Sequence, residues 1–145
     1  MGVQKKKRFW LLINLNRVPS VRNNPNNIIE NQIILKYGDG KFYIASEIYV
    51  GSVIVFPTHT NEWPVSEIKD ISMDNLASVF SQNPSVEILL IGCGKSFSSP
   101  PRGLRKSLSD RSVALEWMDT GAASRTYNVL IAEGRHCAAA LIAVD

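Results

Sequence analysis

The sequence predicts a single α/β domain built on a layered sheet with crossover helices. From residue 73 onward, helix and strand signals alternate three times, which is typical of strands joined by crossover helices. The chain of 145 residues is 45% apolar and 20% charged, enough for the core of one domain. We assign residues 30–145 to this domain and residues 1–29 to a basic, asparagine-rich tail.

The tail differs in charge from the rest of the chain. It carries six basic side chains and no acidic one, whereas residues 30–145 carry 10 basic and 13 acidic side chains. The overall net charge of +3 is therefore a property of the tail. Because the folded part would repel phosphate, the sequence disfavours a nucleic-acid-binding domain.

The tail itself has several interpretations. Four basic residues, Lys5 to Arg8, precede a short apolar stretch, Phe9 to Ile13. That stretch is too short for a secretory signal, and no small-residue cleavage site follows it. A disordered tail, a start codon placed too far upstream, a targeting peptide and a weak membrane-surface anchor all remain open.

Neither a membrane-spanning helix nor a disulfide framework is predicted. The longest apolar run, Cys137 to Val144, has eight residues, far fewer than a spanning helix needs. The two cysteines, Cys93 and Cys137, are 44 positions apart and have no clustered partners that would indicate a zinc site. We expect reduced thiols and no bound metal.

The first half of the domain is predicted to be mostly β-structure. Glycines at 38 and 40 suit a tight hairpin turn, and the β-branched run 52–56 predicts a buried central strand. Pro64 is tolerated only at a sheet edge. The predicted strands are 33–36, 42–45, 52–56 and 62–65, with a turn at 37–41 and a loop at 58–61.

The second half is predicted to alternate between helices and strands. Ser72 and Thr120 are expected to cap the helices that they precede, because their hydroxyls can accept a free backbone N–H. The predicted helices are 73–82, 102–109 and 121–133, and the predicted strands are 86–91, 113–117 and 136–144.

Polar and glycine residues follow two of these strands and form a candidate cleft. Ligands of open α/β sheets bind in the crevice outside the carboxyl ends of the strands. If the two strands are neighbours, their following residues line one cleft. An ordinary tight turn with a capped helix is the alternative. The candidate cleft residues are Gly92, Gly94, Lys95, Asp119, Thr120, Arg125 and Asn128.

Known nucleotide and catalytic motifs do not fit. A P-loop requires glycine where Leu89 stands, and a dinucleotide fingerprint requires glycine where Phe97 stands. His59 and His136 have no acid or nucleophile at a motif spacing, so no catalytic residue and no cofactor are predicted. Trp63, beside a proline in a predicted exposed loop, is either a partner-docking anchor or a core residue.

Two longer motifs are specific enough to indicate a family. Val86 to Gly94 (VEILLIGCG) and Met118 to Leu130 (MDTGAASRTYNVL) closely resemble domain of unknown function family 498. The upstream Tyr37-Gly38-Asp39-Gly40 also fits its opening, and the resemblance covers about residues 33–144. Cys93 stands where the family pattern has threonine, which argues against an essential thiol.

The resemblance implies a three-layer α/β domain with a central mixed sheet and no established enzymatic activity. Its mitochondrial members resemble assembly factors for NADH dehydrogenase (complex I). We therefore expect a non-enzymatic protein-binding domain whose partners are NADH dehydrogenase subunits or another assembly factor. It would lie in the cytoplasm of a bacterium or in the mitochondrial matrix. The alternative is a small-ligand or nucleotide-like binding protein, or an unrecognised enzyme, that uses the cleft.

Overall fold

Eight strands in two sheets form the framework of residues 31–145. A computed structural model describes residues 31–145, so the interpretations of the tail lie outside the described residues. The strands are β1 (Ile34–Gly38), β2 (Lys41–Ile44), β3 (Glu47–Val50), β4 (Val53–Val55), β5 (Thr60–Glu62), β6 (Ile88–Gly92), β7 (Ala114–Met118) and β8 (Cys137–Leu141). The α-helices are α1 (Leu104–Asp110) and α2 (Thr120–Ala132), and two 3₁₀ helices cover Ile68–Asp70 and Asp74–Ser81.

The larger sheet is mixed and has five strands in the order β5-β4-β8-β6-β7. Strand β6 pairs in parallel with both β7 and β8, while β4 pairs antiparallel with β8 and β5. Helix α1 connects β6 to β7, and α2 connects β7 to β8, as the alternation of signals predicts. The smaller sheet is the antiparallel meander β1-β2-β3.

A separate hydrophobic core lies on each face of the five-stranded sheet. Successive side chains of β6 point to opposite faces, so Leu89 and Ile91 enter one core and Leu90 enters the other. The first core is covered by α1 and the 3₁₀ helices, and the second by α2 and the β1-β2-β3 sheet. The predicted three-layer α/β domain with a central mixed sheet is thereby confirmed.

Most predicted elements lie in place, with ends shifted by one to three residues, but β3 was missed. It begins after a two-residue turn in which Ala45 has a φ of 52°, in the left-handed region. Hairpin turns of this kind normally take glycine or asparagine there, so Ala45 gives no turn signal. The edge strand also begins at Thr60, where a loop was predicted.

The segment predicted as helix 73–82 forms a 3₁₀ helix instead of an α-helix. Ser72 does cap it, since its Oγ accepts the Asn75 N–H at 3.2 Å and the Asn75 side chain accepts the Ser72 N–H at 3.1 Å. At the other end, Ser81 Oγ and Gln82 Nε2 donate to the carbonyl of Ser78. These two side chains thus occupy the Ser78 carbonyl, which would accept a backbone N–H in an α-helix.

The side chain of Asn128 connects α2 to the smaller sheet. Its Oδ1 accepts the Ile34 N–H, and its Nδ2 donates to the Ile34 carbonyl, both at 2.9 Å. The amide therefore pairs with β1 as a neighbouring strand would. Asn128, expected in the cleft, belongs to this structural contact instead.

None of the helices formed by residues 31–145 has the length and apolar character that a membrane crossing needs.

We expect Asn128→Ala to lower the free energy of unfolding by about 1–3 kcal/mol, because it leaves two partly buried backbone groups of Ile34 without partners. Urea unfolding measures the loss. Asn61→Ala, at an exposed position on β5, is the matched control and should change stability little. Equal effects of the two substitutions would contradict the connecting role of Asn128.

Candidate functional site

The carboxyl ends of β6 and β7 lie side by side, as the cleft hypothesis requires. Gly92 pairs with Met118 in the parallel ladder, and the Cys93 N–H donates to the Met118 carbonyl at 2.8 Å. Beyond the strands, the Thr120 N–H donates to the Gly94 carbonyl at 2.8 Å. The turn after β6 and the first residue of α2 are therefore in direct contact.

This contact fills the space in which a ligand was expected. A Cβ atom on Gly92 would lie only 2.8 Å from the Cα of Thr120. The Thr120 side chain is fully buried, donates its hydroxyl proton to the Ile142 carbonyl at 2.7 Å and accepts the Gly94 N–H at 3.0 Å. We call Gly92, Gly94, Thr120 and Ile142 the strand-end junction. It is a structural contact between two strands and a helix.

Helix α2 is capped by Asp119 and not by Thr120. The Asp119 Oδ1 accepts the Ala122 N–H at 2.8 Å, which satisfies a donor that the first helical turn leaves free. Thr120 was predicted to cap, but its hydroxyl already serves the strand-end junction. A carboxylate at this position also interacts favourably with the helix dipole.

Two of the predicted cleft residues, Lys95 and Arg125, are exposed on the surface. Arg125 Nη1 lies 3.4 Å from the hydroxyl of Tyr37, a β1 residue that was assigned to a turn. The Tyr37 hydroxyl also lies against Gly121, where a Cβ atom would collide with it. Sequence reasoning missed Tyr37 as a neighbour of Arg125, although it begins the Tyr37–Gly40 motif quoted for the family.

Trp63 is a core residue and not an exposed docking anchor. Only 3% of it is accessible, and its indole N–H donates to the backbone carbonyl of Asn75 at 3.1 Å. The chain after β5 folds back onto the first core, which takes the indole ring out of solvent. Among residues 31–145, the exposed large apolar side chains are Leu35, Phe97 and Val129, at 56%, 64% and 56%.

A cavity of about 310 Å³ lies at the opposite end of the sheet, where β6 and β8 begin. Its lining includes Arg135, His136 and the buried Cys137. Burial raises the pKa of the Cys137 thiol to about 11, and burial likewise raises the pKa of the nearby Tyr127 hydroxyl. Both groups are therefore neutral at physiological pH.

Within residues 31–145, no three side chains of the His, Cys, Asp and Glu types are grouped as a metal site would require. Both histidines have structural contacts. His59 stacks on Phe56 with ring centroids 4.7 Å apart, and His136 Nδ1 lies 3.7 Å from a carboxylate oxygen of Glu87.

Thr120→Val keeps the shape of the side chain but removes the hydroxyl from the strand-end junction. We expect the free energy of unfolding to fall by about 1–3 kcal/mol, since the Gly94 N–H and the Ile142 carbonyl lose a buried partner. Chemical denaturation measures this change in the free energy of unfolding. Thr126→Val, half-buried on the same helix, is the control, and a loss no larger than the control's would show that the hydroxyl is dispensable.

The raised pKa of Cys137 predicts a pH-dependent loss of stability. The thiol has its ordinary pKa of 9.0 in the unfolded protein and a pKa of about 11 in the folded protein. Its contribution to the stability of the folded protein is therefore complete below pH 9 and is lost as the pH rises through 11. The stability difference between the native protein and Cys137→Ala should change by about 2–3 kcal/mol across this window. A difference that is independent of pH would contradict the shift.

Comparison with known proteins identifies relatives over almost the whole described region. The model of a protein family of unknown function, DUF498/DUF598, matches residues 34–142. NADH dehydrogenase (ubiquinone) 1 alpha subcomplex assembly factor 3 of Xenopus tropicalis is 34% identical over 113 residues, which are 78% of this chain and 62% of that protein. An uncharacterized protein of Rhodobacter capsulatus is 34% identical over 106 residues, 73% of this chain and 80% of that protein.

A solved structure shares the fold. The crystal structure described as an outer membrane protein from Bartonella henselae superposes with a TM-score of 0.73 at 33% sequence identity, covering 82% of this chain and all of that one. The family match over residues 34–142, the identity of the relatives and this superposition agree, and the chain belongs to the DUF498/DUF598 family of proteins of unknown function.

Proposed function

We propose that this protein is a non-enzymatic, protein-binding assembly factor for respiratory NADH dehydrogenase. The observation that carries the proposal is the 34% identity over 113 residues to a protein named as an assembly factor of that enzyme. The Xenopus relative is longer than the aligned region, so the shared domain is the part to which we assign the binding role. We place it in the cytoplasm of a bacterial host or in the matrix of a mitochondrion.

The contacts of the chemically reactive side chains support binding over catalysis. Asp119 caps a helix, Thr120 belongs to the strand-end junction and Cys137 is buried with a raised pKa. A nucleophile or base needs to reach a substrate in its reactive protonation state. These groups are instead engaged in holding the fold together, and the junction removes the main support for a small-ligand cleft.

We place the partner-binding surface where α2 meets β1. Arg125 and Val129 lie one turn apart on α2, so they share a face of the helix. Leu35 follows Ile34, whose backbone pairs with the side chain of Asn128, the residue before Val129. Tyr37 contacts Arg125. We call Leu35, Tyr37, Arg125 and Val129 the α2–β1 surface. Arginine and tyrosine together with exposed apolar side chains are typical of interface centres.

Affinity capture of the tagged protein from its native host tests the proposed function. We expect mass spectrometry to identify NADH dehydrogenase subunits or a second assembly factor in the eluate. Efficient capture that recovers neither, or that recovers a set of unrelated metabolic enzymes, would contradict the proposal.

The α2–β1 surface is tested by Arg125→Ala. We expect capture of the NADH dehydrogenase subunits to weaken by about thirtyfold or more, since losing an interface hot spot costs about 2 kcal/mol or more. The melting temperature should stay within a few degrees, because Arg125 is exposed. Arg135→Ala, an exposed arginine beyond the other end of α2, is the matched control. A large fall in melting temperature would make Arg125 a structural residue instead.

A further inference from the structure

Positive charge is concentrated in one part of the described chain. Residues 95–111, which cover the loop after β6 and helix α1, carry five basic side chains and one acidic side chain, Asp110. The other described residues carry five basic and 11 acidic side chains. Lys106 lies 3.2 Å from Asp110, so the single acid of the segment is already paired. Residues 95–111 therefore carry a net positive charge, whereas the other described residues carry a net negative charge.

Phe97 lies near the start of this positive segment, between Lys95 and Arg102. It is 64% exposed, the largest exposure among the large apolar residues described. Lys95 is two positions before it and Arg102 five positions after it, and both are exposed. Phe97 is thus a single exposed ring in a basic stretch of the chain, and aromatic and arginine side chains are enriched at the buried centres of protein interfaces.

The backbone on both sides of Phe97 is anchored to the core. The carbonyl of Ser96 accepts the Cys93 thiol proton at 3.6 Å, and the carbonyl of Ser98 accepts the indole N–H of Trp117. Cys93 and Trp117 are 5% and 9% exposed, so the residues on both sides of Phe97 are tied to the core. Two prolines at 100 and 101 restrict the backbone further. A loop whose backbone is already ordered loses less conformational entropy when it binds.

We propose that Lys95, Phe97 and Arg102 form a second docking surface, which binds an acidic segment of a partner protein with Phe97 as its apolar anchor. We call it the basic loop surface. The concentrated positive charge selects an acidic partner and accelerates its association. A single aromatic ring on an anchored loop suits a shaped protein pocket. Insertion of one apolar side chain contributes little binding free energy to a bilayer. The acidic remainder of the domain would repel nucleic acid.

The basic loop surface is separate from the α2–β1 surface. Helix α1 packs on the first core, whereas α2 and β1 pack on the second, on the opposite face of the five-stranded sheet. One molecule can therefore hold two partners at once. The inference requires only that the occupant be an acidic protein and does not depend on the complex I assignment.

A photo-crosslinker next to Phe97 tests the proposal in the native host. The full chain carrying Ser99→benzoylphenylalanine keeps Phe97 itself intact, and Ser99 is exposed. After irradiation, mass spectrometry identifies the crosslinked peptide. We expect one partner segment that is rich in Asp and Glu. Crosslinks to a neutral or basic segment, to many proteins without preference or to none would overturn the proposal.

Variants measured in the same crosslinking assay establish the mechanism. Phe97→Ala and the pair Lys95→Glu with Arg102→Glu should each reduce the crosslink about tenfold, and raising the salt should weaken it. Asn61→Ala, at an exposed position on β5 outside both proposed surfaces, should leave it unchanged. Equal losses from Phe97→Ala and Asn61→Ala would overturn the proposal.

Two further readouts are needed. The first distinguishes an acidic protein partner from a membrane, and the second distinguishes the basic loop surface from the α2–β1 surface. Binding to phosphatidylglycerol vesicles that falls with Phe97→Ala, without an acidic crosslinked peptide, would assign the surface to a membrane and overturn the protein assignment. Recovery of NADH dehydrogenase subunits should survive Phe97→Ala but not Arg125→Ala. The assembly-factor proposal and the basic loop surface can thus fail independently.

Discussion

The close approach of Thr120 to Gly92 is the contact on which the rest of the structure depends. Glycine has no Cβ, so the first residue of α2 can lie directly against the end of β6. The threonine hydroxyl then joins the turn at Gly94 to the carbonyl of Ile142, just after β8. One side chain thus fixes the ends of two neighbouring strands and the start of the helix that covers them.

The position of α2 in turn determines which surfaces are available for function. Because the helix starts on the strand-end junction, its second half reaches β1, where Asn128 pairs with the backbone of Ile34. That pairing holds β1 against α2, and Tyr37 of β1 lies beside Arg125. The strand-end junction thus positions the helix that contributes Arg125 and Val129 to the proposed α2–β1 surface.

The sequence predicts those features that depend on local patterning. Apolar periodicity and proline and glycine boundaries are local signals, so the alternating elements and the three layers follow from the sequence and the family resemblance. Strand β3 was missed because Ala45 adopts a left-handed turn without a turn-forming side chain. The burial of Trp63 and the filling of the cleft by Thr120 depend on contacts between distant segments, for which one sequence has no signal.

The two proposed surfaces have the composition of reversible interfaces. Their exposed apolar side chains occur singly or in pairs, each bordered by charged or polar groups such as Arg125 or Lys95. Obligate interfaces are larger and more continuously apolar, and leaving one exposed would promote aggregation. An assembly factor must release the enzyme that it helps to build. Small anchors surrounded by charge provide affinity that salt or a competing subunit can reverse, which is the physical requirement of that role.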